Sequence, residues 1–220
     1  MNIEPVAYFH SPVKGKFGLP RQSGLAPDLY GEVRFVPPYD APEAVRGLAG
    51  FDWCWLIWGF SLNAGAGDSL TVRPPRLGGN ERVGVFASRS PFRPNGLGLS
   101  CVRLLEVGDG VLRVSGADLA DGTPVYDVKP YVKYADSKPD ARSGFVDSAP
   151  WEPLPVVMPD SIAEELGPDR ASALSQILAQ DPRPGYHEDA ERVYGLRFES
   201  YDAKFSVRDG KVFVHSLEKC

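Results

Sequence analysis

Asp127, Lys129 and Tyr131 stand at alternate positions in the run VYDVKPYV, residues 125–132. In an extended chain alternate side chains share a face, so a carboxylate, an ammonium and a phenol would lie together. Such a set can accept and orient a proton, with the ammonium keeping the carboxylate ionised or touching the substrate itself. Pro130 is also what an edge strand with a solvated face carries, and that reading needs no chemistry. The second group of interest is TVRPPRLGGNERVGVFASRSPFRPNGLGLS, residues 71–100. Between Arg73 and Arg103 lie six arginines, one acid (Glu81) and no lysine, in a chain whose net charge is −5. Guanidinium forks suit carboxylates and phosphates, and the interspersed prolines and glycines restrict the backbone that carries them. The same residues also read as a turn, a strand at 83–87 and a second turn in any all-β domain. Leu19-Pro20-Arg21-Gln22 is a third candidate, a basic loop that says little alone.

The elements that must position these groups are mainly strands. The chain has 220 residues, enough for one large or two small domains, and its 43% hydrophobic content supports a real core. With 21 prolines and 23 glycines, many short strands and turns are favoured over long helices. Strands are expected at 3–10, 31–36, 51–60, 83–87, 100–107, 112–118 and 125–132, a spacing that suits a sandwich or a barrel. The run FDWCWLIWGF at 51–60 reads as a buried central strand whose three tryptophans fill a core. Residues 135–159 read as loop and linker. Beyond them, Ser161 and Glu164 have capping-box spacing, and Ala171, Leu174, Ile177 and Leu178 have helical spacing up to Asp181-Pro182. Strands are expected again at 193–201, 204–207 and 212–215, with Asp209-Gly210 as a hairpin turn.

Several function classes are disfavoured. A pI near 5.3 is not that of a generally basic nucleic-acid coat, so any such contact must be local. Cys54, Cys101 and Cys220 form no CxxC pair and no zinc spacing, so no metal site is expected. Their odd number excludes a complete disulfide framework and suits reduced cytoplasmic thiols. The first residues lack a signal-peptide pattern, and the longest apolar run is too short to span a bilayer. No GxGxxG, no P-loop and no Rossmann alternation is present. The histidines, at 10, 187 and 215, suggest no Ser–His–Asp set.

Taken together, PRQ at 20–22, TVRPPRLGGN at 71–80, GVFASRSPFRPN at 84–95, DLADGTPVYDVKPY at 118–131 and LAQDPRPGY at 178–186 resemble the TrmO (TsaA/YaeB-like) family. Its members are S-adenosylmethionine-dependent tRNA methyltransferases, and the motifs run in order across nearly the whole chain. The resemblance implies a mainly β fold: a non-Rossmann β-barrel at 1–145 that binds the cofactor, and a small α+β domain at 160–220. It also implies a homodimer acting on tRNA, with methylation at N6 of N6-threonylcarbamoyladenosine next to the anticodon. Carried over by motif, Pro20, Arg21, Gln22, Ser61, Leu62, Arg89, Leu97, Asp118, Leu119, Ala120 and Asp121 would contact S-adenosylmethionine. Ser61-Leu62 replaces a His-Gln pair common in the family, which removes an imidazole and an amide from that wall. The family's RPNPIG reads Arg93-Pro94-Asn95-Gly96-Leu97-Gly98 here. Arg93 and Asn95 would face the reacting end of the substrate, Asp127 would accept or orient the N6 proton, and Lys129 and Tyr131 would position the threonylcarbamoyl group. Two other readings are a non-catalytic barrel that binds S-adenosylmethionine or RNA, and a methyltransferase with a small-molecule acceptor. The intact D-x-K-P-Y and S-R-S-P-F-R-P-N motifs favour catalysis, and the arginine cluster favours RNA.

Overall fold

Alternation of apolar and polar side chains builds the first half of the chain as strands. The computed structural model describes residues 2–63, 69–149, 152–183, 189 and 191–220. In chain order the first strands are β1 (Ala7–His10), β2 (Tyr30–Phe35), β3 (Trp53–Gly59), β4 (Thr71–Val72) and β5 (Val83–Gly84). They are followed by β6 (Leu97–Gly108), β7 (Val111–Ser115) and β8 (Thr123–Pro130). Six of them close into a barrel in the order β1–β2–β7–β6–β3–β8, every pair antiparallel, with Ala7 opposite Val125 at the seam. Closure leaves no sheet edge open. One parity points inward, where Phe9, Val33, Cys54, Leu56, Trp58, Val102, Leu112, Val114 and Val125 form the core. The fit is close: a Cβ on Gly98 would lie 2.3 Å from the Trp58 indole, so that ring needs a glycine on the neighbouring strand.

Three local expectations change. Of the tryptophans in β3, only Trp58 is buried; Trp55 is half-buried and Trp53 is 40% exposed. A barrel has one inside, so residues of odd parity on a central strand face outward. The strand expected at 83–87 is only β5, paired with β4, and Val85–Ala87 turns as a 3₁₀ segment. Ser88 ends that turn, its hydroxyl donating to the Val85 carbonyl at 2.9 Å. The ladder of β1 starts at Ala7 rather than residue 3, beyond Pro5, which has no N–H to give.

The second half holds two one-turn helices, α1 (Lys133–Asp136) and α2 (Phe145–Ser148), then β9 (Val156–Val157). Thus residues 135–159 are more than linker, because β9 pairs in parallel with a later strand. Helices α3 (Asp160–Leu166) and α4 (Pro168–Ala179) precede β10 (Tyr194–Phe198), β11 (Tyr201–Arg208) and β12 (Lys211–Lys219). The sheet order is β10–β11–β12–β9. No capping box forms at Ser161: Pro159 starts the helix, Asp160 is its first residue, and Ser161 therefore lies inside it. The Asp209-Gly210 turn is as expected, with φ of 51° and 68° joining β11 to β12.

The two halves share a core through residues 11–29. Val13, Ala26 and Leu29 are buried among Ile162, Leu174, Leu178, Phe198 and Phe205 of the second half. Polar groups pin the same segment. Asp28 accepts from Ser172 at 2.6 Å and from Gln176 at 2.7 Å, and its own N–H donates to Gln176 Oε1 at 2.9 Å. Gln180 donates to the Leu25 carbonyl at 3.1 Å. The Tyr30 hydroxyl donates to Glu199, which also pairs with Arg170 at 3.2 Å. Burial, reinforced by the Glu199 carboxylate, pushes the Tyr30 phenol up to about 12.

Leu174 is fully buried where α4 meets this segment. Leu174→Ala is expected to cost about 2–5 kcal/mol in a urea denaturation series, and the first-half residues 11–29 should lose amide-exchange protection with it.

Candidate active site

The link from β7 to β8, residues 116–122, brings Asp118 to one end of the barrel. Leu119 and Ala120 beside it are buried, Leu119 within the barrel core, so a ligand there would meet backbone more than side chain. Asp118 accepts from the hydroxyl of Ser100, which in turn accepts from the Trp58 indole N–H at 2.9 Å. Burial raises the Asp118 pKa above the ordinary carboxylate value; the Ser100 hydroxyl, the backbone N–H groups of Asp118 and Ser23 and the Arg89 charge oppose that shift. Arg89 also donates to Gln22 Oε1 at 2.6 Å. Gln22 and Ser23 on the first loop, Arg89 on the arginine segment, Ser100 on β6 and Asp118 on the β7–β8 link therefore form one polar network. Pro20 is buried, and Arg21 is exposed and donates to the Asp181 carbonyl at 3.3 Å. Asp181 itself holds Arg183 at 2.7 Å. The PRQ and LAQDPRPGY motifs thus touch; Pro184, Gly185 and Tyr186 of the latter, and His187, lie outside the described residues.

Asp121 is occupied differently. Its carboxylate accepts from the Ser11 N–H at 3.0 Å and from Lys14 at 2.8 Å, with His10 Nδ1 at 3.8 Å. Burial works to raise its pKa, but the Lys14 and Ser11 hydrogen bonds and the Lys14 charge outweigh it, and the net direction is down. This carboxylate anchors the start of the first loop.

The arginine segment is held from within. Arg93 donates to the Ser88 carbonyl at 3.0 Å, which closes residues 88–93 into a loop. Asn95 and Gly96 follow with φ of 66° and 57°, left-handed positions that asparagine and glycine tolerate. The chain then enters β6 at Leu97, opposite Gly59. Ser61 and Leu62 lie in a 3₁₀ turn just past β3, both exposed, Leu62 by 42%. Arg82 donates to the Thr71 hydroxyl at 2.9 Å, which spends it on the β4–β5 ribbon. The side chain of Arg76 lies outside the described set.

Asp127, Lys129 and Tyr131 do share a face, the outer one. Lys129 pairs with Asp127 at 2.8 Å, and the Tyr131 ring lies 6.0 Å from that of Trp55. Trp55 donates its indole N–H to Asp136 at 3.2 Å, and Asp136 also accepts from the Val132 N–H at 2.7 Å. The structure therefore gathers Gln22, Arg89 and Asp118 at the barrel end and sets the D-x-K-x-Y trio on the neighbouring outer wall. Sequence reasoning passed over Ser100, Trp58 and Ser23. A signal existed for the first: Ser100 has inward parity between Gly98 and Val102, and a buried hydroxyl needs a partner.

The donor set fits S-adenosylmethionine. A largely buried carboxylate suits ribose hydroxyls or the cofactor's ammonium, a guanidinium suits its carboxylate, and an amide suits the adenine edge. Among the described residues no group of three or more His, Cys, Asp or Glu could hold a metal ion. No described helix is long and apolar enough to cross a membrane. Cys54 is pushed up to about 12 by burial, then by Cys101, and is no nucleophile.

Known proteins are similar to the chain over nearly its whole length. The family described as the tRNA-methyltransferase O N-terminal domain matches residues 8–137, and the TrmO C-terminal domain matches residues 152–220. The chain is 39% identical to the tRNA (adenine(37)-N6)-methyltransferase of Escherichia coli K12 over 228 residues, covering 98% of this chain and 97% of the relative. It is 42% identical over 208 residues to a putative S-adenosylmethionine-dependent methyltransferase, RcsF, of Pseudomonas aeruginosa PAO1, covering 91% and 90%. The crystal structure of TrmO from P. aeruginosa superposes with a TM-score of 0.82 at 35% identity, covering 100% of this chain and 97% of that one.

Two outcomes are expected. Asp118 should hold its proton to a higher pH than an ordinary carboxylate, so cofactor affinity should fall as acid titrates it, and Asp118→Asn should flatten that pH profile in calorimetry. For Asp121 the folded pKa lies below the unfolded one, so its stabilisation is present above the unfolded pKa and lost as pH falls through the folded value. Asp121→Asn should cost about 1 kcal/mol at neutral pH, with the difference from the parent vanishing in acid, as read from paired denaturation curves.

Proposed function

The chain belongs to the tRNA-methyltransferase O family, and from that premise we propose how its residues divide the work of methyl transfer. The protein is an S-adenosylmethionine-dependent tRNA (adenine-N6)-methyltransferase acting next to the anticodon. The observation that carries the residue assignment is the meeting of Gln22, Arg89 and Asp118, drawn from three distant segments. Bound S-adenosylmethionine supplies an electrophilic methyl group on a sulfonium.

Gln22, Arg89 and Asp118 hold the cofactor, flanked by Pro20, Arg21 and Leu97 and by the backbone of Leu119 and Ala120. Asp121 contributes by fixing the loop. Ser61 and Leu62 offer a hydroxyl and an apolar surface at the margin. The acceptor is N6-threonylcarbamoyladenosine, whose N6 is urea-like, weakly nucleophilic and must lose a proton. Asp127 accepts that proton, and Lys129 at 2.8 Å holds the carboxylate in place. Tyr131, braced by Trp55, orients the threonylcarbamoyl group with Lys129. Arg93 spends one N–H on Ser88 and has further donors for the threonyl carboxylate, and Asn95 caps the same edge. Holding the nitrogen in line and away from water does most of the remaining work. The barrel, residues 1–145, carries the chemistry, and residues 160–220 brace the cofactor loop. The enzyme works as a homodimer in the cytoplasm, where tRNA is its substrate.

The test is methyl incorporation from labelled S-adenosylmethionine into tRNA with and without the threonylcarbamoyl group. Incorporation should require that group. Asp127→Ala, Lys129→Ala and Tyr131→Phe should each bind cofactor normally and lose turnover, Asp127→Ala by about 10²–10⁴-fold. Full turnover in all three would remove these roles.

A further inference from the structure

Strands β6, β3 and β8 lie side by side, and their register sorts the outward side chains into rows. Arg103 is opposite Trp53, whose carbonyl accepts the Tyr131 N–H at 3.0 Å. Cys101, Trp55 and Lys129 form the next row, and Leu99, Ile57 and Asp127 the third. This wall exposes much apolar surface: Trp53 is 40% exposed and Leu99 57%, and Tyr134 on the adjoining α1 is 89% exposed. Burying an indole gains free energy, so aromatic rings left open on a barrel wall mark a surface that meets something.

The charges on the wall indicate what. Its acids are engaged: Asp127 with Lys129, and Asp136 with the Trp55 and Val132 N–H groups. Arg103 and Lys133, by contrast, have no carboxylate within ion-pair distance among the described residues. Free cations therefore flank open aromatic rings. The core of an interface between protein copies is depleted of charge, whereas here a charged side chain abuts the ring or aliphatic group in every row. Aromatic rings interleaved with cations are the chemistry that takes unpaired nucleotides, bases stacking on the rings and phosphates meeting the cations. The wall is also continuous with Asp127, Lys129 and Tyr131, so a base presented to them has its neighbours over Trp55 and Trp53.

We infer that the outer wall of β6, β3 and β8 is the docking platform for the unpaired nucleotides that flank the target adenine. Trp53 and the Trp55–Tyr131 pair stack bases, and Arg103 and Lys133 meet phosphates. The inference rests on the tRNA methyltransferase reading above.

The experiment measures binding of an anticodon stem-loop RNA by fluorescence anisotropy, with cofactor binding, tRNA methylation and sedimentation in parallel. Trp53→Ala should weaken RNA binding about tenfold, Trp53→Phe should restore most of it, and both should bind S-adenosylmethionine like the parent. Arg103→Ala should reduce the slope of log affinity against log salt by about one. If both alanine variants bind RNA like the parent while the parent methylates tRNA, the platform is wrong and the enzymatic reading stands. If the parent methylates no tRNA, that reading falls and takes the platform with it. If Trp53→Ala separates a dimer into monomers of unchanged RNA affinity, the wall belongs to a second copy and the inference is overturned.

Discussion

The burial of Val13, Ala26 and Leu29 in the core of the second half is the constraint on which the site depends. These three residues bracket Pro20, Arg21 and Gln22. A loop of this length free in solution would lose its conformational entropy only when ligand bound, at a cost in affinity. Here that loss is met during folding. Ser172 and Gln176 of helix α4, and Gln180 just past its end, bond the loop's backbone and Asp28, so the loop arrives at Arg89 and Asp118 already shaped. Among the described residues, the C-terminal unit thus shapes a candidate site to whose central network it contributes no carboxylate or guanidinium.

The barrel adds the second constraint, that a closed sheet has one inside and one outside. Inward parity on β3 and β6 places Trp58 against Gly98 and lets its indole N–H reach Ser100, which in turn orients Asp118. Outward parity on β3 and β8 gives Trp53, Trp55, Asp127 and Lys129, with Tyr131 just past the end of β8. The Trp58–Ser100–Asp118 chain and the Asp127–Lys129–Tyr131 trio therefore stem from two faces of one wall. A one-residue slip between β3 and β8 would exchange them. The register does contain an irregularity between Ile57 and Trp58, and Asp127 stays opposite Ile57 just ahead of it.

Much of this was legible without coordinates. Period two at 125–131 put Asp127, Lys129 and Tyr131 on one face, and period 3.6 picked out Ala171, Leu174, Ile177 and Leu178, all buried. Asp-Gly at 209–210 named its hairpin, because both positions adopt positive φ readily. Other readings failed where the signal was local and the answer was not. Trp53 and Trp55 looked like core residues because an apolar run does not reveal how many of its faces will be covered. Residues 83–87 looked like a full strand, but a ladder needs a partner, and β4 offers only two residues. Ser161 and Glu164 had the right spacing for a cap, yet Pro159 started the helix ahead of them.

The amino-acid sequence by itself determined the faces of the D-x-K-x-Y residues, the mainly β character and, through five motifs in order, the family. These properties depend on covalent order and on the period of an extended or helical backbone. Only the tertiary structure decided which carboxylate does what. Asp118 and Asp121 are three residues apart and alike on paper; the fold buries one against Ser100 and Arg89 and ties the other to Lys14 and Ser11. It also decided that a loop near the start answers to a helix some 150 residues later, as the Asp28–Gln176 contact shows. The reason in both cases is that hydrogen-bond partners and desolvation are set by neighbours in space, and chain order leaves those neighbours open.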